Sequence, residues 1–298
     1  MRIRTNYYLI HSQKPKTVDE PFNHKKSLGQ NFLIDANIAK KIVKSLECKP
    51  NDLVLEIGAG TGALTKYLLS ENIRLTALEI DRNAVRTLLK SFPDAQYPTL
   101  TIFNEDVLIF DLKDFVKNNN SVKLKIIGNI PYNISSQIFF WMFNSSYVID
   151  KALLMIQKEL AERLVASRST KQYGILTIAL SLVGEAKILF HIPPTCFFPP
   201  PKVYSSIVLF QFFDDVIDDS HYESIMSLVR AAFNQRRKTL RNSLKQIINK
   251  LTNLSIDEFI DFSKSLGFDK FEKRAEELLK EDYILLDSIV RAYKKISS

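Results

Sequence analysis

The residues best suited to chemistry begin with a cluster of glycines. The chain of 298 residues contains only eight glycines, and three of them are Gly58, Gly60 and Gly62. A glycine loop between a strand and a helix lets the backbone pass close to a ligand, and the helix N-terminus presents free N–H groups. Glu79 ends the next predicted strand, where a carboxylate can accept hydrogen bonds from both hydroxyls of a ribose. Together these residues indicate a ligand of the nucleotide type.

The kind of nucleotide stays open at this point. Gly58, Gly60 and Ala63 also satisfy the G-x-G-x-x-G/A pattern of dinucleotide-binding sites, in which Glu79 would serve the ribose of the dinucleotide. Asp106 ends the third predicted strand, where it is placed to accept a hydrogen bond from an adenine amino group. The alternative for Asp106 is a helix N-cap without contact to a ligand.

The segment Asn129-Ile130-Pro131-Tyr132 follows a hydrophobic stretch directly and narrows the chemistry. At the carboxyl end of a parallel strand it faces the crevice in which such sheets bind ligands. The Asn129 side-chain oxygen and the Ile130 carbonyl can accept from the two N–H bonds of an exocyclic adenine amine, whose lone pair is otherwise delocalised into the ring. Pro131 holds that carbonyl outward, and Tyr132 offers a flat face for an unstacked base. The segment therefore favours methyl transfer to an adenine amine.

A strand-ending turn with a buried tyrosine is the structural alternative for this tetrapeptide. Its agreement in position with the glycine loop, Glu79 and Asp106 favours the catalytic interpretation. A dehydrogenase has no use for the motif, so S-adenosylmethionine explains the ligand better than a nicotinamide dinucleotide does. Catalysis would then come from orientation and electrostatics rather than from a strong base.

These residues must be positioned by a sheet, and the hydrophobic pattern alternates between strands and helices. Asp35 is the predicted N-cap of the first helix. The alternation predicts an α/β fold with a Rossmann-like, doubly wound and mostly parallel sheet. The predicted strands are 53–57, 75–80, 100–103, 124–127, 152–156 and 206–212, and the further helices are 63–69, 158–166 and 174–183.

Composition excludes several classes of protein. With 46% hydrophobic residues the chain can bury a core, which excludes global disorder. Its two cysteines cannot form a disulfide framework and no Cys/His cluster predicts a zinc site, so we expect no metal and a reducing compartment, the cytoplasm. No apolar run reaches the length of a transmembrane helix, and the first 23 residues lack the apolar core of a signal peptide, so we expect neither a membrane span nor secretion. A formal net charge of +8 favours a polyanionic partner.

Three segments are predicted along the chain. Residues 1–23 form a basic flexible arm, residues 24–213 a methyltransferase domain that uses S-adenosylmethionine, and residues 220–298 a smaller all-helical domain that binds RNA. The boundary between the two domains falls in the acidic stretch 214–219, beyond which strand patterns stop.

Much of the positive charge lies between Arg230 and Lys250, a segment that we call the basic stretch. It contains no Asp or Glu, whereas a solvated helix face, the alternative interpretation, usually mixes both signs. The basic stretch therefore predicts a surface that follows RNA phosphates, which gives register and affinity but no choice of base. Lys25 and Lys26 are expected to extend this surface on the catalytic side. The cations of the basic stretch are Arg230, Arg236, Arg237, Lys238, Arg241, Lys245 and Lys250.

Several segments together resemble one family. In chain order these are HKKSLGQNFL from His24, VLEIGAGTG, ALEIDRNAV, GNIPYNIS, QKELAERLVA, FFPPPKVYSS and AFNQRRKTLRNSL. Over residues 24–298 the chain resembles the ribosomal RNA adenine N6,N6-dimethyltransferases of the small-subunit (KsgA) type. The resemblance implies S-adenosylmethionine as the cofactor. It also implies that two adjacent adenines, in the hairpin near the 3′ end of small-subunit (16S) rRNA, are each methylated twice.

The same resemblance implies partners and site residues. The substrate would be this rRNA, within a pre-assembled small ribosomal subunit, and we expect a monomer that binds no membrane. Phe197 aligns near the target base, where it would either stack on the base or pack in the core. The family's cofactor contacts fall by position on Asn31, Leu33, Gly58, Glu79, Asp106 and Asn129, to which the glycine loop adds Gly60.

Other functions stay open beside this one. The related large-subunit (23S) rRNA dimethyltransferase that confers antibiotic resistance shares the catalytic motif, although PPPKV and FNQRRKTLRNSL favour the small-subunit type. A ribosome-assembly binding factor, for which methylation is secondary, is the alternative from another class. A dehydrogenase is the remaining rival, and titration with NADH and with the methyl donor would separate it.

Overall fold

The computed structural model describes residues 31–215 and 217–297, and its centre is a β-sheet. The strands in these residues are β1 (Phe32–Leu33), β2 (Leu53–Ile57), β3 (Arg74–Leu78), β4 (Leu100–Phe103), β5 (Leu124–Asn129), β6 (Ile149–Gln157), β7 (Gly184–Ile192), β8 (Phe197–Phe198) and β9 (Ser205–Phe212). Seven of them form one sheet in the order β4-β3-β2-β5-β6-β9-β7, and β1 pairs with β8 in a separate two-stranded sheet.

The central strands are short, apolar and buried, as in a parallel sheet that is covered on both faces. Every residue of β2 is buried, and β2 lies parallel between β3 and β5. The register pairs Ile57 with Leu78 on one side and with Gly128 on the other. The carboxyl ends of β2, β3 and β5 therefore reach the same edge of the sheet, where open α/β sheets bind their ligands.

The other side of the sheet becomes antiparallel. β6 is parallel to β5 but antiparallel to β9, and β9 is antiparallel to β7 at the edge. The first residue of β9, Ser205, lies opposite Gln157, the last residue of β6. The antiparallel strand thus brings its N-terminal end to the edge at which the parallel strands finish.

Helices cover both faces of the sheet. α1 (Ala36–Ser45) begins at the predicted N-cap Asp35, whose carboxylate accepts from two backbone N–H groups of the first turn. Val54 and Leu55 of β2 belong to different buried apolar clusters, because successive side chains of a strand point to opposite faces. The further helices of this region are α2 (Thr65–Leu68), α3 (Arg82–Ser91), α4 (Leu112–Asn118), α5 (Ser135–Phe143), α6 (Lys158–Leu164) and α7 (Ile175–Val183).

Beyond β9 the described chain is helical. Buried residues of this region, among them Ile225 and Leu286, belong to the same apolar cluster as Phe210 of β9. The C-terminal helices thus share a continuous core with one face of the sheet. They are α8 (Asp219–Asn234), α9 (Leu240–Ser243), α10 (Lys245–Thr252), α11 (Ile256–Ser265) and α12 (Lys280–Ser297).

The α/β class with a mostly parallel sheet and a C-terminal helical region is confirmed. Sequence analysis missed β7, because a shift in pairing between Ile188 and Phe190 interrupts the alternation of that strand. The domain boundary at 214–219 stays a prediction. Residues 1–23, Lys25 and Lys26 lie outside the described residues. Within the described ranges, no helix combines the length and the apolar character that a membrane span requires.

Candidate active site

The glycine loop leaves the carboxyl end of β2 in a conformation that favours glycine. Gly58 has φ +66° and Gly60 has φ +57°, values that L side chains rarely adopt. A Cβ atom on Gly60 would lie 3.0 Å from the Phe32 ring, and one on Gly58 would lie 3.2 Å from the backbone oxygen of Asn129. The loop is therefore packed closely between β1 and the end of β5, and it lies directly beside the predicted catalytic segment.

Glu79 lies immediately after β3 and is 5% exposed. One carboxylate oxygen accepts from the Gly60 N–H at 2.8 Å, and the other accepts from the Asp81 N–H at 2.8 Å. Burial raises the pKa of Glu79, and the hydrogen bonds from these two N–H groups oppose that rise. Because each carboxylate oxygen can accept more than one hydrogen bond, Glu79 can hold the glycine loop and still bind ribose hydroxyls.

A second buried carboxyl group, that of Glu56, lies behind the loop near the end of β2. Glu56 is 1% exposed, and the Thr65 hydroxyl donates to it at 2.6 Å. The pKa of Glu56 is raised to about 8. Burial is the main cause and the charge of Glu79 adds to the rise, while the hydrogen bonds from Thr65 oppose it. Burial therefore favours the neutral acid at Glu56, which avoids a second negative charge beside Glu79.

Asp106 follows β4 and begins the 3₁₀ turn Val107–Ile109. One oxygen of its carboxylate accepts from the Leu108 N–H at 3.0 Å, so Asp106 is an N-cap. The same residue is half-buried and lines the cleft described below. The capping contact uses one of two carboxylate oxygens, so a contact of Asp106 with adenine stays a prediction that this geometry permits.

Asn129 ends β5, and its side chain is fixed in one orientation. The amide nitrogen donates to the backbone carbonyl of Asn31 at 2.8 Å. Because a carbonyl can only accept, the nitrogen must face Asn31, and the side-chain oxygen lies on the other arm of the amide. The turn that follows uses the carbonyl of Pro131, which accepts from the Ser135 hydroxyl at 3.0 Å. The Ile130 carbonyl lies outside the hydrogen bonds of this turn.

Tyr132 begins the next 3₁₀ turn, Tyr132–Ile134, and its ring is anchored at the far end. The phenol forms a hydrogen bond of 2.6 Å with the hydroxyl of Ser205, at the start of β9. Burial raises the pKa of Tyr132, so the phenol is neutral under ordinary conditions. The ring is half-buried and forms part of the wall of the cleft.

One cleft at the carboxyl edge of the sheet brings these residues together. Its space, including the part that opens to solvent, measures about 1030 Å³. Leu33 lines a smaller cavity that shares Gly58, Gly60 and Asn129 with the cleft. The predicted residues that line the cleft are Asn31, Gly58, Gly60, Glu79, Asp106, Asn129, Ile130, Pro131 and Tyr132.

Sequence analysis missed the apolar wall of this cleft. Ile80 and Val107 line it together with Leu108, and Ile80 is 50% exposed although it is apolar. A signal was available, because Ile80 directly follows Glu79 and Val107 directly follows Asp106. Apolar residues next to carboxylates at strand ends can cover the faces of a base while the carboxylates bind its polar groups.

Phe197 lies in the core and not in the cleft. It is 2% exposed, it pairs with Leu33 across the β1–β8 sheet, and it belongs to the same apolar cluster as Ile42 and Ile192. Successive residues of a strand face opposite ways, so its neighbour Phe198 points outward and is 61% exposed. The structure therefore favours core packing, one of the two alternatives for Phe197, and its stacking on the target base stays a prediction.

Arg236, in the basic stretch, is committed to contacts within the protein. Its guanidinium donates to the carbonyls of Thr170 and Lys171, each at 2.8 Å, and it forms a short ion pair with Glu276. It thereby joins the segment before α7 to the segment before α12. These contacts use three of the five N–H donors of the Arg236 guanidinium, so they indicate a structural role for Arg236, and its phosphate-binding role stays a prediction.

The other cations of the basic stretch divide into two groups. Arg230 pairs with Glu223 at 3.1 Å, and Arg241 pairs with Asp257 at 2.7 Å. Among the residues that the structure describes, the second group is exposed and has neither a hydrogen bond nor an ion pair from its side chain. This group, the unpaired cations, consists of Arg237, Lys238, Lys245 and Lys250.

Fold and cleft together are those of the Rossmann-like α/β class, with a cleft at the carboxyl edge of the sheet. A family model described as ribosomal RNA adenine dimethylase matches residues 21–278 of the chain. The protein therefore belongs to the ribosomal RNA adenine dimethylase family, and the expectation of an RNA-modifying methyltransferase is confirmed.

Two similar proteins are described as ribosomal RNA small subunit methyltransferase A. The one from Malacoplasma penetrans is 44% identical over 225 residues, which cover 76% of this chain and 79% of the relative. The one from Salinibacter ruber is 39% identical over 276 residues, which cover 92% of this chain and 88% of the relative. The similarity thus extends over the sheet region and the C-terminal helices.

Solved structures agree with this assignment. A dimethyladenosine transferase from Plasmodium falciparum has a TM-score of 0.72 and 28% sequence identity, covering 85% of this chain and 95% of that chain. The 23S rRNA methyltransferase ErmE has a TM-score of 0.63 and 22% identity, covering 88% of this chain and 100% of that chain. At the identity of the second structure, the likeness establishes the fold alone.

Proposed function

We propose that this protein transfers methyl groups from S-adenosylmethionine to N6 of two adjacent adenines, in the hairpin near the 3′ end of small-subunit (16S) rRNA, and methylates each twice. The observation that carries the proposal is the Asn129 amide, whose nitrogen is bound to the Asn31 carbonyl, so that its oxygen is left to accept from an adenine amine. The two relatives described as small-subunit methyltransferases support the choice of RNA.

The residues of the cleft fit S-adenosylmethionine. Glu79 would accept from the ribose hydroxyls and Asp106 from the adenine amino group, while the exposed apolar surface of Ile80 would cover the adenine. Gly58 would let the backbone approach the methionine portion, in the smaller cavity beside Leu33. When bound, S-adenosylmethionine supplies an electrophilic methyl group that is attached to a positively charged sulfur.

Asn129 and Ile130 would activate the target amine by orientation. An adenine amine is a poor nucleophile because its lone pair is delocalised into the ring. Acceptors at the Asn129 side-chain oxygen and the Ile130 carbonyl bind its N–H bonds, draw the nitrogen toward tetrahedral geometry and free the lone pair. The new N–C bond forms as the C–S bond of the donor breaks. The methylated nitrogen is cationic and acidic, so its proton is lost to water without a strong protein base.

The target base must leave its stack before it can reach this site, and Tyr132 provides a surface for it. Stacking of a base on an aromatic ring contributes about 1–3 kcal/mol, which offsets part of the cost of unstacking. The unpaired cations defined above would bind phosphates and fix the register of the RNA, as would Lys25 and Lys26 outside the described residues. The helical region 220–298 is therefore proposed as the RNA-binding part of the protein.

The proposed substrate is the pre-assembled small subunit, which the protein modifies as a monomer in the cytoplasm. Unmodified small and large ribosomal subunits are each incubated with the protein and methyl-labelled S-adenosylmethionine, and the RNA of each is then counted. We expect label in the small-subunit rRNA alone. Label in the large-subunit rRNA would instead identify the antibiotic-resistance type. Tight binding to small subunits without label would identify an assembly factor, and binding of NADH rather than the methyl donor would identify a dehydrogenase.

A further inference from the structure

The hydrogen bond between Tyr132 and Ser205 joins the catalytic segment to a strand at the other side of the sheet. The two oxygens are 2.6 Å apart, and Ser205 is fully buried, with 0% of its surface exposed. Sequence analysis did not single out Ser205. Its contact with a residue of the cleft wall therefore raises the question of what the hydroxyl does there.

We infer that Ser205 is a positioning residue for methyl transfer, whose hydroxyl holds the phenol end of the Tyr132 ring against which the target adenine stacks. This inference rests on the proposed function, since it concerns the base-binding side of the same cleft. Ser205 does not line the cleft itself, so any effect on the reaction must pass through Tyr132.

The ring of Tyr132 is held at both of its ends. At the backbone end, the proline ring restricts the φ angle of residue 131 itself. The Pro131 carbonyl also accepts from the Ser135 hydroxyl at 3.0 Å. At the phenol end, the bond to Ser205 holds the oxygen in place and so restrains the direction in which the ring points. A flat surface that is already ordered loses less entropy when a base stacks on it than a mobile ring does. Rigid placement also matters for the reaction, because methyl transfer requires the amine to be aligned with the methyl group.

The sheet holds the Ser205 hydroxyl in place. Ser205 pairs with Gln157 of β6 on one side and with Ile192 of β7 on the other, so its backbone is fixed by two neighbouring strands. The strand order places β9 next to β6, and β6 next to β5, which ends in Asn129. The strand β9, which begins at the same edge of the sheet, thus supports the phenol end of Tyr132, which lies away from the backbone of the catalytic segment.

The adjacent residue, Ser206, provides a matched control. It is also 0% exposed, and its hydroxyl also has one side-chain partner, Nδ1 of His191 at 2.8 Å. Adjacent residues of a strand face opposite sides of the sheet, so Ser206 points away from Tyr132. The loss of either hydroxyl removes a buried hydrogen bond of the same strand, but only one of the two bonds reaches the cleft.

The test is a double-mutant cycle on methyl transfer to unmodified small subunits, with thermal unfolding of every variant as a check on folding. We expect Ser205→Ala to lower kcat/KM by about three- to tenfold, the value of one lost hydrogen bond. Tyr132→Phe should produce the same loss, and the double variant should be no worse than either single variant. Ser206→Ala should retain the activity of the unaltered protein. Equal activity of Ser205→Ala and the unaltered protein, or additive losses in the double variant, would overturn the inference.

A second measurement reads the anchoring without the reaction. The protein is labelled with 3-fluorotyrosine, and Tyr132→Phe identifies the Tyr132 signal among those of the 11 tyrosines by its loss. We expect Ser205→Ala to shift or broaden that fluorine signal and Ser206→Ala to leave it unchanged. An unchanged signal in Ser205→Ala would refute the anchoring itself. A changed signal in a protein that methylates no RNA would refute the proposed function, and with it the role of Ser205 in catalysis, while the anchoring would stand.

Discussion

The cleft and the basic stretch were both visible in the sequence, but the structure treats them differently. The cleft collects its predicted residues from five distant segments of the chain, because parallel strands end at one edge and align whatever follows them. The basic stretch is continuous in sequence, but its cations fall into a paired and an unpaired group. Acidic residues elsewhere in the chain, such as Glu276 and Asp257, form ion pairs with some of them. The position of a motif at a strand end thus predicts which other residues lie near it. A run of charged residues, in contrast, does not show which of its members form ion pairs within the protein.

The largest effect should come from Asn129. Asn129→Ala removes the acceptor for the adenine amine, and we expect turnover to fall at least about a hundredfold, as for the loss of a main electrostatic contact in a transition state. The measurement is labelled methyl transfer to unmodified small subunits. RNA affinity should stay largely intact, which would show that catalysis in the cleft and RNA binding by the basic stretch depend on different residues. Asn144→Ala, at an exposed position after α5, is the matched control. Near-normal methyl transfer by Asn129→Ala would exclude the proposed role.

The next largest effect should appear in the affinity for the cofactor rather than in the affinity for RNA. Glu79→Gln replaces one carboxylate oxygen by an NH2 group, which would face the N–H group of either Gly60 or Asp81. We expect the affinity for S-adenosylmethionine to fall by about ten- to a hundredfold, since hydrogen bonds to charged groups are the stronger ones. Isothermal titration calorimetry measures this change, with the exposed Glu71→Gln as control. Equal affinities in the two variants would remove Glu79 from the cofactor site.

A smaller effect separates the members of the basic stretch from one another. Neutralising Arg237 and Lys238 should reduce the slope of log affinity against log salt by about one to two, because two phosphate contacts are lost. The melting temperature should not change. Arg236→Gln should do the reverse, with an unaltered slope and a melting temperature lowered by about 2–4 °C for each kcal/mol lost. If both variants flatten the slope equally, the division between paired and unpaired cations has no functional meaning.

The last prediction concerns stability, and it rests on the acid behind the glycine loop. Burial raises the pKa of Glu56 from its ordinary value of 4.5 to about 8, so the folded protein binds a proton that the unfolded chain has released. The free energy of unfolding should therefore decrease as the pH rises from 4.5 to 8. Glu56→Gln removes this dependence, and urea unfolding of both proteins across that range measures the difference. A difference that grows in the opposite sense would show that Glu56 is charged in the fold.

Much of the fold and of the cleft could be predicted from the sequence, because both depend on local patterns. Glu79 and Asn129 could be placed since each directly follows an apolar strand, and the order of parallel strands brings strand ends together. The burial of Phe197 could not be predicted, because it depends on whether a two-residue strand turns that ring or the next one inward. The contacts of Arg236 could not be predicted either, since its partners Thr170 and Glu276 lie far away in the chain.

The central claim is that the cleft dimethylates adenine and that the Asn129 amide carries this chemistry. Unmodified small subunits are incubated with S-adenosylmethionine and either the unaltered protein or Asn129→Ala, after which the rRNA is digested and its nucleosides are mapped by mass spectrometry. The expected result is N6,N6-dimethyladenosine at two adjacent positions near the 3′ end with the unaltered protein, and adenosine at both positions with the variant. Unmodified adenosine at both positions with the unaltered protein, or dimethyladenosine with the variant, would contradict the claim.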